Sequence, residues 1–131
     1  MTNPKIRVLI ADDHAILRQG LKRILEEEED MEVVGEAGTG KAAVERTREL
    51  EPDVVILDVS MPDQSGIESL GQIASFSQSR VLILSVHREK AVVGAAISAG
   101  AAGYLPKDSL DTELWERFER STKVNQFSLP T

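Results

Sequence analysis

Apolar and polar positions along this chain repeat with two periods, and segments of each kind take turns. Residues 5–11 (KIRVLIA) form a short apolar run that ends in Asp12 and Asp13. Ile16, Leu17, Leu21, Ile24 and Leu25 then recur at the spacing of a helix. Residues 31–37 (MEVVGEA) read as a second strand. Residues 40–50 read as a helix with Ala43, Val44, Thr47 and Leu50 on one side, stopped by Pro52. A buried strand follows at 53–58 (DVVILD), then a loop of turn-forming residues at 61–66. Ile67, Leu70, Ile73 and Ala74 mark a third helix, and 80–85 (RVLILS) a fourth strand. Residues 89–99 predict a weak, Ala-rich helix whose internal Gly94 costs about 1 kcal/mol relative to Ala. A short strand at 103–106 and a helix at 109–124 complete the series, leaving 125–131 as a tail.

Five strand–helix pairs in strict alternation predict an α/β fold with a parallel sheet covered on both faces. The first, third and fourth strands are apolar almost throughout, as central strands should be. The second carries Glu32 and Glu36 and reads as an edge. One domain over residues 1–124 accounts for the pattern. In such sheets ligands bind outside the carboxyl ends of the strands. Those ends are Asp12 and Asp13, then Asp58, Ser85 and Lys107. Three carboxylates, a hydroxyl and an ammonium therefore converge on one edge. Neighbouring carboxylates repel, and Mg²⁺ with oxygen ligands is the usual remedy. A carboxylate can also act as a nucleophile toward phosphorus. Asp58, on the central strand between the other groups, is the best candidate for that role.

Composition narrows the classes. The 131 residues carry a formal charge of −7, five units of it in the run Glu26–Asp30, which leaves −2 for the rest. Such a chain lacks the basic stripe of a nucleic-acid or anionic-membrane ligand. Negative charge at a helix C-terminus predicts fraying there. With no cysteine, disulfides, thiolate chemistry and Cys zinc sites are excluded. No run approaches a membrane span and no signal-peptide pattern is present, so a soluble, cytoplasmic chain is expected.

The segments VLIADDH (8–14), VVILDVSMPDQSG (54–66), LILS (82–85) and AGAAGYLPKDS (99–109) make the chain resemble a response-regulator receiver domain of two-component signalling. The resemblance covers nearly the whole chain in the family's order. It is nearest to receivers that precede a LuxR-type helix-turn-helix. It implies a doubly wound, flavodoxin-like (βα)5 fold with strand order 2-1-3-4-5, an order for which a receiver is a stock example. It implies phosphorylation of Asp58 by a sensor histidine kinase or phosphotransfer protein. It assigns Mg²⁺ to Asp12, Asp13, Asp58 and the Ser60 backbone carbonyl. It makes Ser85 and Lys107 phosphoryl-binding groups and Tyr104 the aromatic that follows Ser85 inward. Ser60 and His87 stand at positions that tune phosphoryl lifetime. A phosphoryl group adds about −1.5 to −2 charge, and the small residues Ala91, Gly94, Ala95 and Ala96 make the fourth helix a plausible bistable element. The implied output is transcriptional, through a domain absent from this chain, with a homodimer as a further expectation. A stand-alone receiver working by protein contacts is the alternative. One departure is Asp108 after Lys107, where the family commonly has proline in a cis bond. A cis bond before a non-proline residue costs about 2.5–4 kcal/mol.

Competing readings are weaker. Residues 35–43 (GEAGTGKAA) match seven of eight P-loop positions, but Ala42 stands where Ser or Thr must bind Mg²⁺. Gly38, Gly40 and Ala43 also fit a dinucleotide turn. The nearby acids would repel a pyrophosphate, and glycines in a strand–helix turn serve tight geometry. A dehalogenase-like phosphatase needs a second Asp two residues after the nucleophile, and Ser60 is there instead. His14 is expected to cap or border the first helix and His87 to be a loop residue. Leu110, Leu114 and Phe118 form a core stripe with Trp115 at its flank.

Overall fold

A computed structural model describes residues 5–59, 61, 63, 66–85 and 90–106. Their elements run β1 (Ile6–Ala11), α1 (Ala15–Glu26), β2 (Met31–Ala37), α2 (Gly40–Leu50), β3 (Val54–Asp58), α3 (Gly66–Phe76), β4 (Arg80–Ser85), α4 (Lys90–Ser98) and β5 (Gly103–Pro106). The five strands form one parallel sheet in the order β2-β1-β3-β4-β5. The alternating pattern thus gives the doubly wound fold, with β2 at an edge. The expected helix at 109–124 and the tail lie outside the described residues, as do Ser60, His87, Lys107 and the Lys107–Asp108 bond.

The apolar strands serve two interiors because successive side chains point to opposite faces. Leu9, Ala11, Val55, Leu57, Val81 and Ile83 face one way and pack with Ala43, Leu70 and Ile73 of α2 and α3. Val8, Ile10, Val54, Ile56, Leu82 and Leu84 face the other way, against Leu21 and Leu25 of α1. Leu17, Leu21 and Leu25 make the inward stripe of α1, whereas Ile16 stands off it, 87% exposed. α1 ends at Glu26, where the acidic run begins. The Glu27 and Glu28 amides still donate to the Arg23 and Leu25 carbonyls, each at 3.2 Å, and close its last turn.

α2 is framed by its sequence. The Thr39 hydroxyl accepts from the Ala42 amide at 3.0 Å and caps its start. Glu51 takes the left-handed conformation (φ 47°) at its end, just before Pro52. The pairing of β1 with β2 shifts between Val8 and Leu9, so Val8 faces Val33 but Leu9 faces Gly35. A Cβ on Gly35 would lie 2.7 Å from Leu50 Cδ1, so a side chain there would have to push aside the end of Leu50, which packs over the edge strand from α2.

Candidate functional site

Register builds the site. Ala11 pairs with Leu57, so the next residues, Asp12 and Asp58, leave neighbouring strands at the same level. The Asp12 amide donates to the Ala37 carbonyl at 3.0 Å, which fixes the chain one step beyond β1. Asp58 pairs with Leu84, and Ser85 follows at the end of β4. Ser85 is therefore on the expected sheet edge, though its side chain lies outside the described set. Tyr104, on β5, is buried in the interior shared with α2 and α3.

Asp12, Asp13, His14 and Asp58 each offer a ligand atom within 4.8 Å of the others. Asp12 and Asp58 are fully buried, while Asp13 and His14 are exposed and form the rim. Around an octahedral Mg²⁺ with bonds of about 2.1 Å, donor oxygens stand about 3.0–4.2 Å apart. Donors within 4.8 Å of one another are close to that spacing and would draw in around such an ion. Three carboxylate oxygens are the hard donors that Mg²⁺ takes, so the residues present fit the cation.

Three residues to which the sequence gave no role in the site make the polar contacts along this edge. His14 occupies the N-cap position of α1 but makes no side-chain cap bond. Its backbone N–H donates to Asp12 Oδ1 at 2.7 Å. Its Nδ1 lies 3.0 Å from Asp12 Oδ1 and 3.1 Å from Asp13 Oδ1. Carboxylates only accept, so these contacts are favourable with the proton on Nδ1. His14 thus borders the helix as expected, but its ring serves the acid pair. Arg18, one turn along α1, donates from Nη1 to the Asp12 carbonyl at 2.5 Å and from Nε to Glu36 Oε1 at 3.1 Å. It ties the ends of β1 and β2 together. Asp63 accepts from the amides of Gly40 (2.8 Å) and Lys41 (2.9 Å). The P-loop-like turn therefore gives its helix-start amides to the chain's own carboxylate. That, more than the missing hydroxyl at Ala42, argues against a nucleotide phosphate there.

Gly66 shapes the loop after Asp58. Its amide donates to the Val59 carbonyl at 2.9 Å, and an added Cβ would lie 2.3 Å from Val59 Cα and 2.6 Å from the Asp58 carbonyl oxygen. Only a residue without a side chain lets α3 begin against the backbone of the acid strand. Met61, inside this loop, is buried in the α2/α3 interior.

A doubly wound sheet with an acid cluster beyond β1 and β3 defines the class, and the comparisons agree. The response regulator receiver domain model matches residues 8–119, and the chain belongs to that family. It is similar to the transcriptional regulatory protein YdfI of Bacillus subtilis, with 36% identity over 95% of this chain and 58% of that protein. The receiver domain of the putative response regulator NarL from Mycobacterium tuberculosis superposes with a TM-score of 0.87. The two are 39% identical over 92% of this chain and 98% of that one. A LuxR-family two-component response regulator from Aurantimonas gives a TM-score of 0.87 at 33% identity, covering 93% of this chain and 88% of that one. The chain spans somewhat more than half the length of the curated relatives it matches. Among the described residues, no helix is long and apolar enough to cross a membrane.

Proposed function

We propose that residues 1–124 form a phosphorylation-controlled switch, with Asp58 accepting the phosphoryl group from a kinase or phosphotransfer histidine. One observation carries the reading: the acid ending the central strand lies within 4.8 Å of two further carboxylates that start beside it. An Asp58 carboxylate oxygen attacks phosphorus, the P–N bond of the donor breaks, and its electron pair stays on the imidazole nitrogen. Asp58 is buried, and the proposed donor approaches from the side on which Asp13 and His14 are exposed. Asp12, Asp13 and Asp58, with the Ser60 carbonyl by resemblance, would hold Mg²⁺. When bound, the cation supplies charge neutralisation for the incoming phosphoryl oxygens. Ser85 and Lys107 are assigned to bind the phosphoryl group, Tyr104 to follow Ser85 inward, and Ser60 and His87 to tune its lifetime.

The chain acts as a switch with no separate substrate turned over. Its output is proposed to be transcriptional, which the names of its relatives support, with phosphorylation-dependent pairing of two copies as the means. Incubation with Mg²⁺ and a small phosphodonor should add one phosphoryl group. Asp58→Asn should abolish the addition, and its persistence in that variant would reject the assignment. Lys107→Ala should take up phosphate yet fail to pair. Normal pairing would remove Lys107 from the switch.

A further inference from the structure

We infer that the His14 ring adds a nitrogen ligand to the acid cluster, so that the site takes borderline transition ions such as Zn²⁺ through His14 and takes Mg²⁺ without it. This role deepens the cation-site reading above and rests on it. It makes His14 the residue that sets which divalent ions the site prefers.

His14 Nδ1 lies 3.0 Å from Asp12 Oδ1 and 3.1 Å from Asp13 Oδ1. Asp58 joins them, each of the four residues offering a ligand atom within 4.8 Å of the others. Two donors at right angles on an ion, with bonds of about 2.1 Å, stand about 3.0 Å apart. The nitrogen is therefore spaced from two carboxylate oxygens as neighbouring ligands of one ion are. Imidazole suits Zn²⁺, Cu²⁺ and Ni²⁺, whereas Mg²⁺ takes oxygen and fills the rest of its sphere with water. When the ring binds a metal, Nδ1 gives its lone pair and Nε2 carries the ring proton. Without a metal, Nδ1–H donates to the two carboxylates.

The ring has no competing duty. It stands at the N-cap of α1 without a side-chain cap bond, and it is 65% exposed, so an ion arriving from solvent meets it. The backbone N–H of His14, at 2.7 Å, holds Asp12 Oδ1 and does not depend on the side chain. Changing the ring therefore removes the nitrogen donor and leaves that backbone bond in place. The chain has two histidines and no cysteine, so His87 is the one other side chain able to offer an imidazole or thiolate.

Isothermal titration of the 131-residue protein with Zn²⁺ and, separately, with Mg²⁺ tests this in wild type, His14→Ala and His14→Gln. Glutamine keeps an N–H that can donate to the carboxylates but has no imidazole nitrogen. Zn²⁺ affinity should fall at least about tenfold in both variants, because losing a ligand costs no less than losing a ligand's supporting partner. Mg²⁺ affinity should stay within about twofold of wild type, since oxygen ligands and water serve that ion. In ¹⁵N-labelled wild type, Zn²⁺ should move the Nδ1 resonance of His14 and Mg²⁺ should not give the shift of a coordinated nitrogen. Zn²⁺ affinity unchanged in His14→Ala overturns the inference, as does an Nδ1 resonance that Zn²⁺ leaves in place. Zn²⁺ affinity that His14→Gln restores, or a loss that Mg²⁺ shares, reduces the ring to a donor that positions the acids and overturns it too. Wild-type protein that binds Zn²⁺ through His14 but binds no Mg²⁺ overturns the receiver reading instead.

Discussion

Neutralising Asp58 should stabilise the protein when no divalent cation is available. Asp58 faces Asp12 and Asp13 with ligand atoms no more than 4.8 Å apart. Two unit charges at that distance repel by about 0.9 kcal/mol at a dielectric of about 80 and about 3.5 kcal/mol at about 20. Asp58→Asn removes this repulsion from both neighbours at nearly constant volume. Its amide can also donate to a carboxylate. Some cost is deducted for polar contacts of Asp58 that an amide serves less well, which leaves a net gain of about 1–3 kcal/mol. For a domain of this length each kcal/mol moves the unfolding midpoint by about 3–5 °C. Thermal unfolding followed by circular dichroism should place Asp58→Asn above wild type in EDTA. Excess Mg²⁺ should narrow the gap, because a ligand that binds the folded state stabilises it and the wild type keeps the full donor set. A variant no more stable than wild type in EDTA, or a gap that Mg²⁺ leaves untouched, would refute the electrostatic account of the site.

Three further outcomes follow from the same geometry. Asp13→Ala should weaken Mg²⁺ binding at least about tenfold by calorimetry, since an exposed carboxylate ligand is lost while the buried pair remains. Gly66→Ala should lower stability by about 2–4 kcal/mol in urea unfolding, because its Cβ would sit 2.3 Å from Val59 Cα with backbone on the other side. Thr39→Ala should cost about 1 kcal/mol, the ordinary worth of a helix N-cap, in the same assay.

The residues that were legible in the sequence are those whose position follows from where an apolar run stops. Asp12 and Asp58 end strands, and parallel strands in register bring their ends level. The glycine turn at 38–40 could be placed the same way, whereas Tyr104 was singled out by the resemblance alone. The supporting groups could not. Arg18 and Asp63 sit on a helix surface and in a polar loop, where charged residues are ordinarily solvated, and their partners are fixed by folding across 6 and 23 residues. His14 was read from its place beside a helix, yet its ring contacts are set by the turn after β1. Ile16 shows the reverse error: helical spacing includes it, but α1 turns it 87% to solvent. Periodicity reports how a helix repeats, and the angle at which the helix meets its sheet decides which of two adjacent apolar residues is covered.

The sheet also partitions the molecule. Leu25 and Ile73 belong to separate interiors on opposite sides of it, so truncating each to alanine should cost about 2–5 kcal/mol and the two losses should sum. Each side of the sheet therefore answers for its own packing, and neither can offset a void opened in the other.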